Sequence, residues 1–142
     1  MELEAPNDTI VDVGKLEYLS YGEGVTAKVV SVTPASGRYV VMLNGEKGAV
    51  LAAHRHLGAV EFYILKGQVT FRGGTVTEGM YGYEPNSAIH SQTTFDEDTE
   101  MLFFGHGPIE FLPEEEGGQS QIFDWEAAYQ LGAAAGAEPA VI

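Results

Sequence analysis

The chain has 142 residues, no cysteine, and a formal net charge of -14 from 21 acidic and 7 basic side chains. That length suits one domain able to bury a core without cross-links; the missing thiols remove disulfide frameworks, thiolate zinc sites and cysteine nucleophiles, leaving imidazole and carboxylate as the strong metal ligands. The acidic balance repels polyanions, so neither nucleic acid nor an anionic membrane surface is an expected partner.

The opening MELEAPNDTI lacks a basic, apolar leader and no apolar run reaches bilayer length, so the expected location is cytoplasmic. Residues 1–25 are weakly patterned and are expected to form an arm draped over the barrel or over a neighbouring subunit. From 26 to 112 come short runs rich in Val, Ile, Tyr and Phe, such as AKVVSV, YVVML, EFYIL and EMLFFGH, separated by turn clusters such as TPASG, LNGEKG and RGGTVTEG. This spacing, with no long 3.6-period segment, predicts an all-β jelly-roll or small barrel of antiparallel strands. Residues 113–142 are expected to hold a solvated exit loop (EEEGGQSQ), a short helix in DWEAAYQLG capped by Asp124 and stopped by Gly132, and an ambiguous tail.

The chemistry-bearing residues fall in two places. If the segment through His56 is a strand, alternation sets His54 and His56 on one face and Arg55 outward, so two imidazoles about 7 Å apart can converge on one cation. A second expectation from alternation is that Glu61, Tyr63 and Leu65 point together into the interior from the next strand. The run GMYGYEPNSAIH then supplies Pro85 and His90. In the strand that follows, His106 has the parity opposite to Met101, Phe103 and Gly105, which places it outside and off the ligand set; Met101, Phe103 and Phe104 read as core or gate residues.

These spacings resemble the two motifs of the cupin superfamily. Gly48, His54, His56 and Glu61 match the first, with Gly67 one residue early; Gly79, Pro85 and His90 match the second, with Ser87 in place of a glycine and Thr94 in place of an asparagine. The resemblance implies a double-stranded β-helix with a divalent metal inside its mouth, held by His54, His56 and His90 with Glu61 as a fourth ligand. A three-imidazole site with an optional carboxylate suits Fe(II), Zn, Mn or Ni better than Ca or Mg.

Within the superfamily, the stretches around HRHLGAVEFYILKG and FDEDTEMLFFGHGPIEFL look like small single-domain cupins of the acetylacetone dioxygenase and 2,4'-dihydroxyacetophenone dioxygenase type. That likeness implies Fe(II) as cofactor, a small carbonyl substrate and dioxygen as partners, and cleavage of a carbon-carbon bond in a β-diketone or α-hydroxyketone bound as an enolate. It also implies a polar pocket of Arg72, Glu84 and Thr93, with Glu84 as proton acceptor, Arg72 on the enolate oxygen, and Tyr63 as a further lining residue. Two other readings keep the metal site: a zinc-binding sensor or regulatory cupin resembling the domain of anti-sigma factors, and a metal-dependent hydrolase or isomerase of small carbonyl compounds. A homodimer or homotetramer is the expected assembly.

Overall fold

Every strand that can be read from the sequence is short, and the computed structural model, which describes residues 8–142, packs these strands as antiparallel sheets. The beginning of the expected N-terminal arm lies outside the described residues. In chain order the strands are β1 (Leu19–Gly22), β2 (Val25–Thr33), β3 (Arg38–Gly45), β4 (Val50–Leu51), β5 (His54–His56), β6 (Val60–Lys66), β7 (Gln68–Phe71), β8 (Gly74–Thr77), β9 (Tyr81–Glu84), β10 (Ile89–His90), β11 (Thr93–Phe95), β12 (Thr99–Gly105), β13 (Ile109–Phe111), β14 (Gln121–Phe123) and β15 (Ala140–Val141), with helix α1 (Trp125–Ala134) before the last.

One large sheet runs β1-β2-β3-β12-β6-β9, with β15 beside β2; two four-stranded sheets, β10-β5-β13-β14 and β4-β11-β7-β8, lie against it and complete the jelly roll. The arm is thus part of the fold: β1 pairs with β2, and Lys28 Nζ donates to the Val13 carbonyl at 3.1 Å while standing 4.5 Å over the Tyr18 ring, which fastens the preceding segment to the outer face.

The core follows from strand alternation. Val25, Ala27 and Val29 of β2, Tyr39, Val41 and Leu43 of β3, and Val60, Phe62 and Ile64 of β6 turn inward and are buried. Full burial of an aromatic or branched side chain contributes about 1.5–3 kcal/mol. Gly58 and Gly107 meet back to back: a Cβ on Gly58 would come within 2.5 Å of the Gly107 Cα. This contact and the hydrogen bonds Leu57 N to Pro108 O and His106 N to Ala59 O fix the chain just after the paired histidines.

The C-terminal expectations need revision in detail. Asp124 does cap α1, its carboxylate accepting from Ala127 N at 2.9 Å, but the helix continues through Gly132 to Ala134. Gly132 is buried against Pro139 and so serves close packing. The tail returns as β15, parallel to β2.

Candidate metal centre

Three neighbouring strands build the site. β5 lies between β10 and β13, with His90 opposite His54 on one side and Phe111 opposite His54 on the other. Alternation along β5 buries His54 and His56 and sends Arg55 outward to Glu110, 2.5 Å from its carboxylate. The turn from Pro85 to Ala88 brings β10 alongside: Ala88 N donates to Pro85 O, Ser87 N to His56 O at 2.7 Å, and His56 N to Ala88 O at 2.9 Å. Ser87 has a φ of 73°, a left-handed conformation suited to glycine, at the motif position where the superfamily carries that residue.

The outcome is a cluster of His54, His56 and His90 whose ligand atoms lie within 4.8 Å of one another, the one such cluster of three or more potential ligands found among the described residues. His54 Nδ1 donates to the Ala52 carbonyl at 2.8 Å, which puts the free lone pair on Nε2. Burial lowers the His54 pKa to about 4, against the opposing effect of that carbonyl. Glu84 Oε2 stands 2.6 Å from His56 Nε2 and 2.9 Å from His90 Nε2. Burial pushes the Glu84 carboxyl up, but the two imidazoles outweigh it and hold it at about 2.

The donor set fits a transition-metal ion. Both nitrogens of His56, which is 1% exposed, make no hydrogen bond despite the close approach of Glu84. Buried polar atoms of this kind need a partner, and three imidazoles sharing one ion at about 2.1 Å would supply one with a modest inward closure.

The other expected residues divide. Glu84 and Thr93 are buried and line a cavity of about 40 Å³ with His54 and His56, walled otherwise by apolar side chains such as Phe62, Phe71 and Met101. Glu61 is not beside the histidines: it lies on the outer face of β6, accepting from Tyr81 Oη and paired with His106 Nε2 at 2.7 Å. Tyr63 shares that face and is exposed, because β6 turns Val60, Phe62 and Ile64 inward instead. Arg72 is exposed in the turn between β7 and β8; its parity partner Thr70 faces outward to Asp96, and Val69 and Phe71 take the interior.

His106 is exposed on the outer face, as its parity requires, while Met101 is buried and Phe103 packs against the core. Two ring contacts went unread in the sequence: Phe111 against His54, with centroids 5.5 Å apart, and Phe71 against His90 at 5.7 Å. The alternation Val69, Phe71 in QVTFR was the available signal for the second.

A jelly roll with three buried, converging imidazoles and a carboxylate at their edge defines a cupin with a site able to hold a metal ion. The model of the ChrR cupin-like domain matches residues 6–110. The chain belongs to that family. It is 27% identical over 95 residues to the acetylacetone-cleaving enzyme of Acinetobacter johnsonii, a match that covers 63% of this chain and 62% of that enzyme. The chain thus aligns with about three fifths of the relative's length. Among solved structures, a candidate acetylacetone dioxygenase from Methylibium petroleiphilum PM1 superposes with a TM-score of 0.81 at 26% identity, covering 94% of this chain and 98% of that one. The anti-sigma factor ChrR of Rhodobacter sphaeroides, solved with SigE, shares the fold with a TM-score of 0.57 at 16% identity, over 64% of this chain and 50% of that one.

Proposed function

We propose that the protein is a non-haem Fe(II) dioxygenase that cleaves a carbon-carbon bond of a β-diketone or α-hydroxyketone. The observation that carries the reading is the placement of a buried carboxylate, Glu84, against two of three converging histidines at the wall of an apolar cavity. The likeness to the acetylacetone-cleaving enzyme supports the reaction class.

In this reading His54, His56 and His90 hold the ion, which when bound would acidify a chelating dicarbonyl and supply the redox chemistry with dioxygen. Glu84 accepts the substrate's acidic proton at a carboxylate oxygen. The imidazoles that face this carboxylate hold it ionised and so able to take a proton. Thr93 offers a hydroxyl to a substrate oxygen, and the apolar wall excludes water from the reacting carbons. Arg72, Tyr63 and Glu61 have no part in this scheme.

Oxygen uptake by the Fe(II)-loaded protein with pentane-2,4-dione and with a hydroxyacetophenone tests it. Uptake in step with loss of substrate is expected. No uptake with either, together with tightly held zinc in the isolated protein, would favour the regulatory reading to which the ChrR likeness of the domain points. Zn, Mn or Ni in place of iron, with hydrolysis or isomerisation of the same carbonyl compounds, is the other outcome that would displace it.

A further inference from the structure

His56 and His90 are each 1% exposed, so a ligand needs a path to them. A cleft of about 840 Å³ lies between β1, β14, α1 and the segment after β13. Tyr21, Leu51, Phe111 and Phe123 form part of its wall, and the same four side chains wall a small cavity of about 30 Å³ that reaches His54. That cavity shares Leu43, Leu51, His54 and Phe103 with the space holding Glu84, Thr93 and the partnerless His56 nitrogens. Leu51 borders all three spaces. The outer cleft is also lined by Glu23, Glu114 and Glu115 and, among the described residues, by no lysine, arginine or histidine.

We propose that this cleft is the entrance to the metal centre, that Leu51 with Tyr21, Phe111 and Phe123 filters by size, and that the acidic rim selects an uncharged, compact ligand over an anion. A low-dielectric passage lined by one sign of charge focuses the potential and excludes like-charged molecules. Resting on the reading above, this narrows the substrate to a neutral dicarbonyl or hydroxyketone that gives up its proton only inside, and it disfavours dicarbonyls that carry a carboxylate.

The absence of cysteine lets haloacetyl reagents report on histidines. Iodoacetamide and iodoacetate are close in size and differ in charge, so peptide mass mapping of the full, chelator-treated chain compares the path to His54 with exposed His106 as internal reference. Leu51→Ala and the milder Phe111→Leu are expected to speed alkylation of His54 by both reagents several-fold and leave His106 unchanged. The combined variant E23Q/E114Q/E115Q is expected to raise the iodoacetate rate at His54 about threefold or more with the iodoacetamide rate unchanged, an effect that fades at high salt. Unaltered His54 rates in all three variants, or acceleration only by Val76→Ala on the far wall of the inner space, would overturn the proposal. The readout needs neither metal nor turnover, so it fails independently of the dioxygenase reading.

Discussion

Replacing Glu84 with glutamine removes one negative charge from the centre and keeps the shape of the side chain. The residue is 9% exposed, and Oε2 stands 2.6 and 2.9 Å from two of the three ligand imidazoles. A contact to a charged group in such surroundings contributes about 1.5–3 kcal/mol. At about 1.4 kcal/mol per tenfold, its loss from the edge of a bound cation weakens metal affinity roughly 10- to 150-fold, overlapping the roughly 10- to 100-fold loss seen when groups supporting metal ligands are removed. Competition with a chromogenic chelator, run with Zn(II) and anaerobically with Fe(II), measures this, with circular dichroism as the check on folding. Glu61→Gln is the matched control: its carboxylate pairs with His106 and Tyr81 on the outer face, so its affinity should equal the parent's. Unchanged affinity in Glu84→Gln, or equal losses in both variants, would refute the assignment of Glu84 to the centre.

Ser87→Gly relieves a left-handed backbone at φ 73°; strain of about 1–2 kcal/mol, less the entropy glycine adds to the unfolded chain, leaves a gain of about 0.5–1 kcal/mol, seen as a rise of a few degrees in Tm. Gly58→Ala drives a Cβ to within 2.5 Å of the Gly107 Cα and should cost about 1–3 kcal/mol, lowering the denaturant midpoint and metal affinity together because the histidine pair precedes that contact. Burial raises the phenol pKa of both Tyr21 and Tyr39. An acid whose folded pKa lies above its unfolded value of about 10 leaves stability untouched below that pH and reduces it as pH rises further, so unfolding followed by circular dichroism should show a steep alkaline limb. Tyr39→Phe should flatten it.

The histidine pair was readable because His-x-His in a strand leaves alternation little freedom, whereas Glu84 came into view only through the family resemblance. Phase on β6 was not readable. In VEFYILK each alternating set is apolar but for one charged residue, Glu61 in one and Lys66 in the other, so period two alone does not say which faces inward; the packing of Val60, Phe62 and Ile64 into the core decides it. The same ambiguity misled the reading of Arg72, whose neighbour Phe71 takes the interior instead. The Glu61–His106 pair joins residues 45 apart in the chain through neighbouring strands, and no local pattern encodes it. β14 and β15 are three and two residues long and carry no spaced motif such as His-x-His to mark them where periodicity alone is too short.

β5 has three residues and β10 two, yet between them they carry the three histidines of the metal centre. Strands so short gain little from their own ladder and open at low cost. An ion shared by His54, His56 and His90 would rivet these two strands across 34 residues of chain, so release of the ion and parting of the strands become a single event. By linkage, the protection of amides such as His56 and Ser87 against solvent exchange would then track the free metal concentration, while the broad sheet behind them stays indifferent to it. The rear of the molecule is a permanent scaffold, and the front is a conditional one, assembled to the degree that its metal is supplied.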